Sequence, residues 1–389
     1  MSRQRRALLG ISVLAFILLG LYDSMLGTAW PSIRSSFSQP LAALGLLQLA
    51  LIGGFLTTST ASGWLTGRAG RGRLLFLAAV VAATAAIVYV TTQRWLTLVA
   101  ATALLGGSIG IVDTGVQAHL ALTRGVRAMN VLHACYGLGA TLGPLLVTRL
   151  VVAGWGWRAA YAVLFGLEVL LAAAFLGSRR RWDSGQPVDP GRARSSRTAR
   201  AESRLTAAVP LTLALFFVYT GVEVTAGVWS FSLLTTGRGM DTSLAGLVVA
   251  GYWAALTAGR LGAALIGGRI TAAALVLTST IGTVAGTALL WWNPSNALGA
   301  IGLLITGLAL AAIFPTLVSR TPAWIGAART PAVIGWQVAA GGLGSAALPA
   351  CAGLLSQANG LEALGPFLFG LSVVMLGLYV AIERAAPES

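Results

Sequence analysis

The chain has 389 residues, 56% hydrophobic and only 10% charged, and its formal charge of +15 comes entirely from arginine, with no lysine. Soluble domains carry about 25% charged residues, so the composition excludes an ordinary soluble protein and points to a membrane protein. The arginines sit in short gaps between apolar runs, a pattern of membrane loops, so no nucleic-acid partner is expected. Cys135 and Cys351 both lie inside apolar runs, which excludes a disulfide framework and a cysteine metal site.

A membrane-spanning helix needs about 20 apolar residues. That rule predicts twelve spans, near residues 7–31, 41–65, 74–92, 96–121, 131–153, 158–177, 207–235, 243–266, 270–292, 297–318, 330–355 and 363–382. The first follows Arg3, Arg5 and Arg6 and mimics a signal peptide. Its apolar run is too long for one and has no clear cleavage site, so it reads as an uncleaved span. Within it lies Asp23, inside the stretch Gly20–Pro31. An ionised Asp at mid-membrane costs about 2.5–3.5 kcal/mol on insertion scales, so this carboxylate is expected to face a protein interior or a wet cavity.

The gap after the second span carries Arg68, Arg71 and Arg73, and those after the fourth, eighth, tenth and twelfth spans are also basic. With the gap after the sixth span, one side holds twenty arginines. The other holds four: Arg34, Arg94, Arg158 and Arg238. The positive-inside rule then puts both termini in the cytoplasm, in the plasma (inner) membrane of a bacterium. Residues 178–206 are basic and rich in Ser, Gly and Pro, and read as a cytoplasmic linker between a six-helix unit at 1–177 and another at 207–389.

The two units look duplicated. Glu223 begins the same acid-x-x-x-Gly pattern in the seventh span as Asp23 does in the first, 200 residues earlier. Gly137–Pro144 in the fifth span matches Gly342–Pro349 in the eleventh, at an offset of 205. Two matches in near register, each in the equivalent helix, suggest a transporter with its site between the halves.

These features resemble the major facilitator superfamily over almost the whole chain. The loop Gly63-Trp64-Leu65-Thr66-Gly67-Arg68-Ala69-Gly70-Arg71-Gly72-Arg73 is similar to its signature, which assigns Gly63, Gly67, Arg68, Gly70 and Arg71 to gating or structure. Gly67 departs from the family, which carries Asp there as part of a cytoplasmic latch. Within the superfamily the chain most resembles the fucose-permease branch, through Gly110–Gln117, Leu132–Ala140, and Phe216–Glu223 with Tyr252-Trp253 and Gly259-Arg260. The resemblance implies twelve helices in two pseudo-symmetric bundles, no cofactor, and sugar–proton symport using acids of the first and fourth helices, here Asp23 and Asp113.

Asp23, Asp113 and Glu223 are the candidate proton-coupling groups; the competing reading is a fixed ion pair with Arg260 or Arg149. Glu168 in the sixth span reads better as a snorkelling polar residue of an outer helix. Asp113 and Gln117 are four residues apart and share a helical face, whereas His119 points to nearly the opposite side. His133 and Tyr136 begin the fifth span; His133 is a titrating group or an interfacial hydrogen bonder. Aromatic rings can stack on sugars while amides take hydroxyls, which nominates Tyr22, Tyr219, Trp229, Tyr252, Trp253 and Trp336, with Gln337 as the amide partner. Trp155, Trp157, Trp291 and Trp292 read as interface anchors.

No Walker loop, metal cluster or nucleophile–base–acid set is recognisable, so neither an ATP-driven pump nor an enzyme is expected. The expected protein is a monomeric transporter in the lipid bilayer, moving a small polar molecule such as a sugar with protons. The alternative is a proton-driven exporter of drug-like or lipophilic compounds. A sensor or scaffold on the same fold is a third reading.

Overall fold

A computed structural model describes residues 3–123, 126–183, 208–266, 269–326 and 329–385. The linker expected at 178–206 lies largely outside them: residues 178–183 continue a helix, and 184–207 are not described. Among the described residues, twelve helices are long and apolar enough to cross a membrane. They are α1 (Arg3–Ser36), α2 (Ala43–Ala69), α3 (Arg71–Thr91), α4 (Trp95–Thr123), α5 (Val126–Val152) and α6 (Trp157–Asp183). The second half contributes α7 (Ala208–Ser232), α8 (Thr242–Ile266), α9 (Ala272–Trp292), α10 (Asn296–Ile325), α11 (Thr330–Asn359) and α12 (Leu364–Ala385). A backbone in hydrocarbon must satisfy its own hydrogen bonds, and the helix does so locally.

Two ends differ most from the sequence reading. Helix α10 is interrupted between Leu310 and Ile313 but continues to Ile325, past the expected 318. Its polar turn stays helical because the Arg320 guanidinium donates to Glu383 of α12, at 2.6 and 2.8 Å. Helix α6 likewise runs on to Asp183.

Packing repeats between the halves. Helix α1 packs on α5 and α6, α2 on α4, and α3 on α4 and α6. Adding six to each number gives the second set: α7 on α11 and α12, α8 on α10, and α9 on α10 and α12. Equivalent glycines make close backbone crossings in both halves. A Cβ on Gly139 would overlap the carbonyl oxygen of Ile17, and one on Gly344 would overlap that of Phe217. Small residues at such crossings let backbones touch, the main attraction available to helices in lipid.

The halves meet through α1 with α7, α2 with α11, and α5 with α8. Their glycine contacts are Gly27 on Val228, Gly45 on Ala350, Gly353 on Ala42, Gly246 on Thr148, Gly137 on Thr257 and Gly342 on Leu56. The last two lie near the helix middles, and the other four toward the end of the bundle remote from the chain termini. At that remote end Gln357 of α11 accepts the Ala42 N–H at 3.0 Å. None of these six contacts lies in the half nearer the termini, so these glycine crossings close the bundles at the remote end.

Candidate functional site

Mid-membrane, where α1, α5, α7 and α8 approach one another, six of the expected residues come together. Tyr136 of α5 donates its hydroxyl to Asp23 of α1. Tyr219 donates to Glu223 one turn along α7. Arg260 of α8 pairs with Glu223 at 3.2 Å, the two side chains being 30% and 15% exposed. Tyr252 of α8 donates to the backbone carbonyl of Glu223 at 2.8 Å, so α8 grips α7 twice. The groups act on one another across the bundle interface: Asp23 feels the charges of Glu223 and Arg260, and His133 feels Arg260.

The charge count matters more than any single bond. Two carboxylates share one guanidinium. Glu223 takes the ion pair, while the hydrogen-bond partner of Asp23 is a neutral phenol. A buried charge left without a counter-ion is costly unless it is neutralised or paired. Asp23 is therefore the carboxylate of the cluster without an ion pair among the described residues, and Glu223 is the one that Arg260 holds.

Asp113 stands apart. Its carboxylate accepts from Gln117 at 2.6 Å, as the four-residue spacing predicts, and among the described residues no ion pair reaches it. His119, on the other side of α4, is buried and packs 4.7 Å from Trp182. His133 is exposed and meets Phe16 edge-on, two turns inside α5 rather than at its start.

Several expected substrate contacts are buried instead. Gln337 has no exposed surface and accepts from Thr321 of α10 at 3.1 Å, so it faces the second bundle's interior. Trp229 is 1% exposed and donates to the Pro349 carbonyl at 2.9 Å, bracing α7 against α11. Tyr219, Tyr252 and Trp253 are also buried, the Trp253 indole N–H without a partner. Tyr22 turns away from the cluster into the first bundle. Trp157 is no interface anchor: it is buried edge-on to Tyr161 at 5.8 Å, while Trp155 and Trp292 are exposed as expected.

In the signature loop Gly63 and Gly67 meet open space, and the Arg68 guanidinium lies 4.0 Å over the Trp64 ring. Gly70 has φ +78°, a conformation that favours glycine, and joins α2 directly to α3. Sequence reasoning missed Asp183. This last residue of α6 accepts the Gly72 N–H at 3.1 Å and acts electrostatically on Arg71. The signal was there: it is the acid closing the run Arg179-Arg180-Arg181-Trp182-Asp183. A surface pocket of about 410 Å³ near Met240, Leu244 and Asn296 is a separate feature. Its acid, Asp241, is occupied in capping α8 through the N–H groups of Ser243 and Leu244.

Twelve spans in matched six-helix sets, with a charged cluster where the sets meet, define a multi-pass membrane transporter. The family model of the Major Facilitator Superfamily matches residues 12–209, just over half the chain, and the chain belongs to that family. It is 26% identical over 386 residues to the sodium-dependent glucose transporter 1A of Mus musculus, covering 88% of each chain. Among solved structures it is similar to a D-xylose-proton symporter, with TM-score 0.73, 14% identity, and 95% and 96% of the two chains covered. A bacterial homolog of the human lysosomal transporter Spinster, in an inward-facing and occupied conformation, gives TM-score 0.77 at 14% identity, with 99% and 98% covered. Relatives named for glucose thus match where the sequence resemblance pointed to the fucose-permease branch.

Proposed function

We propose that this chain is a secondary active transporter that moves a small polar solute, such as a sugar, together with a proton by alternating access. One observation carries the reading: a cross-bundle cluster with two carboxylates and one guanidinium, in which Asp23 is the member without an ion pair. Protonating Asp23 makes the cluster neutral, which lets the halves reorient without an unpaired buried charge. Asp113, bonded to Gln117 on α4, serves as a second acid away from the central cluster. Tyr136, His133 and Arg260 offer hydroxyl, imidazole and guanidinium groups toward the solute, and the fucose-permease resemblance and the glucose-named relative both favour a sugar.

The units are 1–177 and 207–389, joined by the linker 178–206. The arginine asymmetry supports cytoplasmic termini in a bacterial plasma membrane. With that orientation, closure at the end remote from the termini corresponds to an inward-facing state. The protein works as a monomer on this reading, since both halves of the site come from one chain.

A second coupling ion is favoured by one observation, the sodium-dependent name of the mouse relative. Proteoliposomes loaded with a pH dye distinguish the two. Adding D-glucose or D-xylose outside is expected to acidify the lumen in wild type and not in Asp23→Asn. Sugar uptake that needs a sodium gradient and moves no protons assigns Asp23 to sodium. Proton flux opposite to that of an added cationic drug would reverse the reading to export.

A further inference from the structure

Helix α6 has two faces. The inner one buries Glu168, which is only 4% exposed and so does not snorkel as the sequence suggests. The outer one is exposed at Leu170, Ala173, Gly177 and Arg180, a spacing of three and four residues that makes one column along the helix. Helix α3 has a matching exposed column at Arg73, Leu77, Val80 and Thr84. The Thr84 hydroxyl is satisfied by the Val80 carbonyl at 2.9 Å. Each column is therefore apolar until it ends in an arginine, at the end of the bundle nearer the chain termini. The two halves meet through other helices, while α3 packs chiefly on α6, so both columns face outward to lipid.

The two arginines are neighbours. The backbones of α3 and α6 cross at this end, where a Cβ on Gly72 would overlap the Arg179 carbonyl oxygen. Arg73 and Arg180 follow those two residues, which puts their Cα atoms at most about 12 Å apart. Arg179 is exposed beside them, and a surface pocket of about 430 Å³ runs along Leu176 to Arg181.

Among the described residues none of Arg73, Arg179 and Arg180 has an ion pair. Asp183, the acid that closes α6, is occupied with the Gly72 N–H and with Arg71. At the same end of the second bundle, by contrast, Arg320 is held by Glu383 at 2.6 Å. Like charges held this close repel, and a shared anion relieves the repulsion. Guanidinium forks match the paired oxygens of a phosphate. A free anion would use the arginines alone. A phospholipid would also use the apolar columns, laying its chains over Leu77 and Val80 of α3 and Leu170 and Leu176 of α6, all exposed.

We propose that Arg73, Arg179 and Arg180 bind the phosphodiester of one anionic phospholipid, whose acyl chains lie along the seam between α3 and α6. The site is independent of the solute moved and of the ion that drives it.

The test is native mass spectrometry of the full chain in detergent, with phosphatidylglycerol or phosphatidylcholine of the same chains added. One phosphatidylglycerol per chain is expected to be retained, and phosphatidylcholine not. Arg73→Gln with Arg180→Gln should lower retention about twenty-fold, each arginine near a membrane surface being worth about fivefold. Arg269→Gln with Arg384→Gln removes the same charge from the same end of the second bundle and should leave retention unchanged. All four side chains are exposed, and equal thermal unfolding of the lipid-free variants checks that the fold is intact. A phosphatidylglycerol with a photoreactive group in its chain should label α3 around Leu77 and α6 around Leu170 and Leu176. Equal retention of the two lipids, equal loss in the two double variants, or labelling elsewhere overturns the proposal. So does displacement of the lipid by millimolar inorganic phosphate, which would assign the arginines to a free anion.

Discussion

Asp23 and Glu223 occupy equivalent places in the two halves, yet their partners differ in kind. Glu223 is held by Arg260, Tyr219 and, through its backbone, Tyr252. Asp23 is held by Tyr136, reached across 113 residues of sequence. The two acids share one spacing in the sequence, and a single arginine on α8 distinguishes their settings. On the function proposed here, the paired acid is the fixed one and the other is the group that titrates. The asymmetry teaches that a pseudo-symmetric transporter divides labour by pairing charges unequally.

The sharpest way to break this comparison is to neutralise each acid in turn. Asp23→Asn is expected to abolish proton-coupled uptake, with counterflow retained. Tyr136→Phe should lower coupled uptake about tenfold, since a hydrogen bond to a charged group contributes roughly 1.5–3 kcal/mol. Tyr219→Phe should cost several-fold less, because Glu223 keeps Arg260. Equal losses from the two tyrosine variants, measured as initial rates in the pH-dye assay, would mean that the two acids are equivalent after all.

Stability should show the reverse order. Arg260→Leu strands Glu223 and is expected to destabilise the protein by about 3 kcal/mol, the lower end for breaking a buried pair, given the partial exposure of both side chains. Removing Glu223 as well should recover most of that loss. Thermal unfolding in detergent would follow both variants, and an uncorrected double mutant would argue that Arg260 acts through Tyr219 or the cavity instead.

The two ends of the molecule make a second comparison. Gly27 touches the Val228 backbone at the closed end, whereas Gly63 of α2 and Gly335 of α11 face open space at the other. Gly27→Val should wedge the closed end apart and shift the population toward the opposite state by about 1 kcal/mol, roughly fivefold. Spin labels at positions 63 and 335, in a background without Cys135 and Cys351, should then report a larger fraction of short distances. An unchanged distance distribution would show that this crossing is not what holds the closed state.

The spans were legible because hydropathy and arginine placement are read one residue at a time. The duplication was legible because acid and glycine offsets of 200 and 205 are written in sequence, and the Gly139 and Gly344 contacts realise it in space. Burial within a span was not legible. A helix that is apolar all round has no polar face to orient it, so Glu168 read as snorkelling, Gln337 as facing the cavity and Trp157 as an anchor. The extent of α10 was hidden for another reason: Arg320 looks like a loop residue until Glu383, 63 positions later, is placed beside it. The signature loop gave the family, but its missing acid at Gly67 gave no hint that Asp183 serves the same loop from α6.

That loop offers the mildest test, because the two halves start their third helices differently. The first turn of a helix leaves N–H groups without partners. Helix α9 solves this locally: the Thr271 hydroxyl accepts from Ala274 N–H at 3.2 Å. Helix α3 begins after Gly70, which has no side chain to cap with, and borrows the carboxylate of Asp183 for the Gly72 N–H. Losing either cap should cost about 1 kcal/mol. Thr271→Ala removes a cap and nothing else. Asp183→Ala also unties the end of α6 from the α2–α3 loop, and it removes a negative charge from a helix N-terminus, worth about another 0.3–1 kcal/mol at low salt. Asp183→Asn keeps an acceptor oxygen and should lose only that charge term, so its deficit should shrink as salt is raised. If Asp183→Ala were no worse than Thr271→Ala at any ionic strength, the carboxylate would be an ordinary cap, and the first half would have no cross-helix tie that the second lacks.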